Sequence, residues 1–210
     1  MTGGEGGMLG SRIGIFGGTF DPPHLGHLIL AQEARYKLNL DQVLFVLTPQ
    51  PPHKQGAQVT PVELRLELLS SALLSDPGFV LNRVDLDRPP PHYAADTVRT
   101  IRQSLPGRTM VYLMGGDSLR DLPDWHRPED FVAACDLIGV MWRPYSGVDM
   151  DALEAKIPGL TSKVKFIDAP LLQISSSDLR RRIAAGEPYR YYLPEGVWKI
   201  IQSKRLYTGT

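Results

Sequence analysis

Short apolar runs alternate with helical periodicities along most of this chain. Arg12 to Phe16 (Arg-Ile-Gly-Ile-Phe) is apolar and β-branched, which reads as a buried strand, and the glycine pair Gly17-Gly18 behind it lets the backbone turn. Leu25, Leu28, Ala31, Ala34 and Leu38 then recur at helical spacing. Val43 to Leu47 reads as a second strand, and Pro49 to Pro61 as a loop, because its prolines and glycine oppose regular structure. Thr60-Pro61-Val62-Glu63 has the makings of a capping box, with Thr60 as N-cap and proline at the first helical position, ahead of Leu64, Leu68 and Ala72. Further strands are predicted over Phe79 to Val84, Met110 to Met114, Leu137 to Met141 and Val164 to Ile167. Helices are predicted over Ala95 to Ser104, Asp151 to Ile157 and Ser176 to Ala185, the last stopped by Gly186.

This alternation predicts an α/β fold, a Rossmann-like doubly wound, mostly parallel sheet with helices on both faces. Ligands in such sheets bind beyond the carboxyl ends of the strands, where the Gly17-Gly18 loop and the Gly115-Gly116-Asp117 turn both fall. With 210 residues, 42% of them hydrophobic, the chain can bury one good core, so residues 12–210 are expected to form a single domain. Met1 to Ser11 is glycine-rich, lacks the apolar segment of a signal peptide and is expected to be a flexible leader outside the fold.

Charge narrows the class of ligand. Twenty-three basic and 23 acidic side chains give a formal net charge of +0, without the basic footprint of a nucleic-acid binder, so no nucleic acid partner is expected. A single cysteine, Cys135, excludes an intrachain disulfide framework, and no apolar run is long enough to span a bilayer, so no membrane partner is expected and the location is read as cytoplasmic. The sequence leaves the oligomeric state open, a homo-oligomer included.

The most informative segment is Gly17-Gly18-Thr19-Phe20-Asp21-Pro22-Pro23-His24-Leu25-Gly26-His27, which puts two imidazoles at a strand-to-helix junction. The first N–H groups of a helix lack intrahelical partners and carry the positive end of its dipole, so the junction suits phosphate. A lone histidine there is ordinarily a cap, and a Gly-Gly pair is ordinarily a turn. Zinc is a further alternative, but Asp21 is the only nearby carboxylate and Cys135 is distant, so no metal site is assigned; neither H-E-x-x-H nor a Walker A loop is present.

Those eleven residues resemble the G-G-[ST]-F-D-P-x-H-x-G-H signature of the nucleotidyltransferase superfamily, and specifically of the bacterial nicotinate-mononucleotide adenylyltransferases. Pro51-Pro52-His53-Lys54 is similar to that family's P-P-H-[KR] loop, and Tyr93-Ala94-Ala95-Asp96-Thr97 to its Y-[TS]-x-D-T segment. Gly115-Gly116-Asp117-Ser118 with Trp125 resembles its G-x-D-[SM]…W, and Ile174 to Arg180 its I-S-S-T-x-I-R. The resemblance runs from Arg12 to Tyr207.

It implies an enzyme that joins ATP and nicotinate mononucleotide into nicotinate adenine dinucleotide and pyrophosphate, with Mg²⁺ held mainly by the ATP phosphates. On this reading His24 contacts the α-phosphate and His27 the outer phosphates, as positioned donors against the charge that develops in transfer. Lys54 adds a cation over the phosphates, and Ser176, Ser177 and Arg180 close on the β- and γ-phosphates from a second helix start. Arg181 and Arg182 read as an exposed basic face. Gly17, Gly18, Thr19, Phe20, Gly115 and Asp117 complete the ATP side, Asp117 by resemblance the ribose acceptor. The mononucleotide side is assigned Thr19, Lys54, Tyr93, Ala94, Trp125 and His126, with Trp125 by resemblance stacking on the pyridine ring, while Trp142 and Trp198 read as core. Ser177 replaces a usual threonine, and Ala94 departs from a common Thr or Ser in the segment that meets the pyridine carboxylate.

Two alternatives stand beside this reading. One is another adenylyltransferase of the same fold, of the pantetheine-phosphate or nicotinamide-mononucleotide type; the Gly17-Gly18 pair, the Pro52-His53-Lys54 loop and Trp125 argue against the first. The other is a noncatalytic ATP-binding sensor or a fragment of a tRNA synthetase, and neutral charge without an RNA-binding appendage counts against the fragment.

Overall fold

The computed structural model describes residues 11–50, 59–142, 148–170 and 172–209. Lys54 and the rest of the Pro51-to-Lys54 loop, most of the expected leader, and the side chain of Trp142 lie outside the described residues.

Six strands form one sheet in the order β3-β2-β1-β4-β5-β6. They are β1 (Arg12–Gly18), β2 (Gln42–Leu47), β3 (Phe79–Asn82), β4 (Thr109–Gly115), β5 (Leu137–Trp142) and β6 (Val164–Asp168). Every pairing is parallel, so the sheet is wholly rather than mostly parallel. Period-two alternation assigns the two faces. Ile13, Ile15, Leu44, Val46, Met110 and Met114 point into one core with helices α3 (Ala94–Ser104) and α5 (Pro128–Ala134). Phe45, Leu47, Val111 and Leu113 point into the other, with α1 (Leu25–Lys37) and α2 (Val62–Leu73). Helices therefore cover both faces. The outer face of α2 buries Leu68 and Ala72 against α8 (Ser176–Ala184) and α9 (Glu195–Lys204) in a third cluster. Short helices α4 (Gly116–Arg120), α6 (Met150–Lys156) and α7 (Leu160–Lys163) complete the order. Cys135 is buried in the first core, where burial pushes its thiol up to about 12, which makes it a packing residue and not a nucleophile.

Four expectations are corrected. Gly17 and Gly18 continue β1, paired opposite Val46 and Leu47, and do not make the turn. Both are needed for close approach: a Cβ on Gly17 would meet the Tyr112 hydroxyl at 2.7 Å, and one on Gly18 the Phe20 ring at 2.9 Å. The turn falls at Phe20, with φ of 48°. Thr60 is not a cap; α2 starts at Val62 with Pro61 as N-cap, because Thr60 is held elsewhere, its N–H on Asp21 Oδ2 at 3.2 Å and its carbonyl accepting from Arg65 Nε at 2.8 Å. The third strand stops at Asn82, whose Oδ1 accepts the N–H of Val84 at 2.9 Å and bends the chain. Ser11 belongs to the fold, since its carbonyl accepts from Thr109 at 3.0 Å and its hydroxyl donates to Asp41.

Candidate active site

The sheet order reverses between β1 and β4, and there the chain's most suggestive motifs meet. The ends of these strands, Gly17 and Gly115, line two cavities at once, together with Phe16 and Ser118. One cavity, about 790 Å³, runs along the starts of α1 and α8; the other, about 290 Å³, opens against the start of α3. Two compartments that share one wall are what a reaction joining two nucleotides needs.

The first holds both histidines. His24 is the N-cap of α1 and His27 its third residue, so one turn brings their rings into a stack with centroids 3.7 Å apart. The backbone N–H of His24 donates to His27 Nδ1 at 3.2 Å, which places a neutral His27's proton on Nε2. Burial first, and the neighbouring His24 second, hold the His27 imidazole well below its ordinary value. His27 is thus a neutral imidazole that accepts at Nδ1 and donates through Nε2–H.

The start of α8 faces them across the same cavity, with Ser176, Ser177 and Arg180 in the wall. Ser175 caps this helix by accepting from the Asp178 N–H at 3.2 Å. Two of the expected phosphate contacts have a further task. Ser176 Oγ donates to the Pro22 carbonyl at 2.8 Å, and Arg180 Nη1 to the Asp21 carbonyl at 2.7 Å, so α8 pins the histidine loop from outside. The other N–H groups of Arg180 are of the kind that suits an anion. Arg181 and Arg182 pair with Asp178 and Glu187, away from that role. Asp117 lines the cavity with an exposed carboxylate that accepts from Arg120 at 3.0 Å.

The second cavity gathers Gly18, Thr19, Tyr93, Ala94 and Trp125, with His126 at its edge. Gly18 and Thr19 thus line this compartment and not the first. Trp125 is half-buried and backed by Phe131 at 5.2 Å and Tyr112 at 6.4 Å, so it is a fixed aromatic wall. The Trp125 backbone N–H donates to the Leu122 carbonyl at 3.0 Å. Tyr93 and His126 stack at 4.0 Å, nearly parallel. Ala94 opens α3; the amides of Asp96 and Thr97 donate to the Tyr93 carbonyl at 3.1 Å, which leaves those of Ala94 and Ala95 without an intrahelical acceptor. Phe20 lines neither cavity; its ring is buried against Phe16, Phe45 and His27, so it shapes the loop and any contact it makes with a nucleotide is through its backbone. Trp198 is partly buried beside the third cluster, under the guanidinium of Arg190.

Sequence reasoning missed Arg65. This side chain is 1% exposed and gives its donors to four carbonyls, those of Thr60, Thr19 (3.0 Å), Thr48 (2.9 Å) and Pro49 (2.7 Å). It ties the loop after β1 to the loop after β2. Sitting among Leu64, Leu66 and Leu68, it carried one signal: a charge in an apolar stretch. Among the described residues, no three histidine, cysteine or acidic side chains gather as a metal site.

Comparison with known proteins places this architecture. Residues 15–182 match the cytidylyltransferase-like family. A protein of Thermomicrobium roseum named "Probable nicotinate-nucleotide adenylyltransferase" is 44% identical over 197 residues, covering 94% of this chain and 92% of the relative. One of the same name from Exiguobacterium sibiricum is 38% identical, covering 93% and 98%. Among solved structures, the nicotinic acid mononucleotide adenylyltransferase of Plasmodium falciparum complexed with NaAD superposes with a TM-score of 0.77 over 94% of this chain and 97% of that one, at 20% identity, a likeness of fold. With that fold, and with relatives matched along nearly their whole length, the chain belongs to the cytidylyltransferase-like family and, within it, to the nicotinate-nucleotide adenylyltransferases.

Proposed function

We propose that this protein transfers the adenylyl group of ATP to nicotinate mononucleotide, releasing pyrophosphate and forming nicotinate adenine dinucleotide. The observation that carries this reading is the pair of cavities meeting at Gly17, Gly115 and Ser118, one phosphate-adapted and one aromatic. In support, proteins carrying that enzyme name match nearly the whole chain.

ATP occupies the compartment of His24, His27 and α8, and the mononucleotide that of Tyr93, Ala94 and Trp125. The phosphate of the mononucleotide, already ionised, attacks the α-phosphorus; the new P–O bond forms as the bond to the β-phosphate oxygen breaks, and pyrophosphate leaves. No protein nucleophile is required. The obstacle is repulsion between two polyanions, and it is met by donors fixed in advance: the two imidazoles, the free amides at the start of α1, the α8 N-terminus and Arg180. Stacking on the Phe16–Phe20 side and the His24 N–H hold the His27 ring, so little reorganisation is left for the reaction. Lys54 is proposed to bring its cation over the phosphates. Mg²⁺ enters with ATP as part of the substrate, coordinated chiefly by phosphate oxygens.

The pyridine ring is read as stacking on Trp125, and its carboxylate as meeting the first amides of α3. A pyrophosphate-release assay with ATP and Mg²⁺ compares nicotinate mononucleotide, nicotinamide mononucleotide and phosphopantetheine as acceptors. Release is expected to be fastest with nicotinate mononucleotide. No release with it, or faster release with either competitor, refutes the assignment.

A further inference from the structure

The floor of the smaller cavity is polar, and the reaction as drawn leaves it unused. Asp85, His92 and Thr97, 3%, 6% and 3% exposed, all line it. Two of them are satisfied. Thr97 Oγ1 donates to Asp85 Oδ1 at 2.8 Å, and Arg88 Nε donates to the same oxygen at 3.0 Å, so the buried carboxylate is met by a guanidinium and a hydroxyl. Arg88 also donates to the Pro91 carbonyl at 2.8 Å, which fixes the backbone next to His92. His92 differs: its Nδ1 is buried and has no hydrogen-bond partner among the described residues. Interior polar atoms are nearly always paired, so an unpaired nitrogen in a residue that lines a cavity asks for an explanation.

Position suggests which ligand. His92 precedes Ala94, the first residue of the eleven-residue helix α3, by two residues, and Ala94 and Ala95 line the same cavity. An imidazole and a helix N-terminus thus border one volume, both able to donate to an anion. Ala94 itself has no side-chain donor. The charges of Asp85 and Arg88 offset each other, so the floor does not repel a negative group. We propose that His92 is a specificity-determining residue of the mononucleotide site, its imidazole hydrogen-bonding the carboxylate of the pyridine ring; this rests on the reaction assigned above. Two donor sets on one carboxylate explain selection against the amide, because an amide that turns its carbonyl to the imidazole sets its NH₂ against the helix amides, donor to donor. Burial keeps the empty-site imidazole neutral by lowering its pKa, so it holds one N–H to give.

The test compares kcat/KM for nicotinate and nicotinamide mononucleotides in the native enzyme, His92→Leu and His92→Asn. His92→Leu should lower the acid's kcat/KM by roughly tenfold or more while changing the amide's little, and His92→Asn should restore much of the ratio. An unchanged ratio in His92→Leu, whether both rates stay native or both fall together, overturns the proposal. A second reading needs no active variant: on titrating native protein with each mononucleotide, the side-chain ¹⁵N resonances of His92 should shift with the acid and much less with the amide. Equal shifts, or none, contradict the proposal. If the native enzyme releases no pyrophosphate with any acceptor, the assigned reaction fails, and this titration still reports on His92.

Discussion

Tyr207, three residues from the end of the chain, donates its hydroxyl at 2.7 Å to the buried carboxylate of Asp21, in the loop that leads to the two histidines. The other Asp21 oxygen accepts the Thr60 N–H, and the Asp21 carbonyl takes Arg180, so this loop is tied to the segment before α2, to α8 and to the C-terminal segment together. Burial and the Asp21 charge push the Tyr207 phenol up, and it remains a donor throughout the working range. Tyr207→Phe should cost about 1–3 kcal/mol, because it leaves a buried carboxylate short of a partner. Urea unfolding reads this directly; a midpoint equal to that of the native protein would show the contact to be inert.

Arg65 should prove more sensitive. Arg65→Met keeps an apolar stem but strips donors from four carbonyls at the edge of the site, and a loss of about 3 kcal/mol or more is expected. Arg65→Lys should recover only part of it, since an ammonium lacks the planar fork that reaches all four. Equal unfolding midpoints for Lys and native protein would show that charge alone matters there.

His24→Ala and His27→Ala should each lower turnover by on the order of a hundredfold with the fold retained. Circular dichroism and melting check the fold, and pyrophosphate release the rate. His27→Ala should also melt somewhat lower, since the His24 N–H loses its acceptor. Near-native turnover in both variants would remove the imidazoles from the mechanism.

Acid sensitivity follows from the same rings. His27 and His92 are both held below 6.5 in the folded chain, while the unfolded chain titrates near that value. Below 6.5 the unfolded state therefore binds more protons, and stability falls as pH drops, by up to about 1.4 kcal/mol per pH unit for each ring. The melting temperature should be flat above pH 7 and decline from 6.5 toward 5, less steeply in His27→Asn. Asp41, Asp178 and Glu187 have lowered pKa values, so their losses come at lower pH. A melting temperature independent of pH between 7 and 5 would contradict the assignment.

Periodicity made the sheet and its main helices readable, because alternation and helical spacing are local consequences of burial. The phosphate loop was readable for a related reason: its residue types are unusual together and its spacing is fixed by one strand-to-helix junction. What escaped was long-range. Thr60 reads locally as a cap, yet Asp21, 39 residues earlier, takes its N–H. Gly17 and Gly18 read as a turn, yet the need for glycine comes from Tyr112 on the neighbouring strand and from the folded-back Phe20 ring. Asp85 and His92 lie in a proline-rich stretch with no period to betray their burial.

The central claim is that two nucleotides meet at the shared wall and that attack falls on the α-phosphorus. Incubating the native enzyme with Mg²⁺, nicotinate mononucleotide and ATP labelled at the α-phosphate, then separating the products, tests this most directly. All transferred label should appear in the dinucleotide, in equal amount to the unlabelled pyrophosphate released. Label on the protein, or ATP consumed without a labelled dinucleotide, would contradict the account.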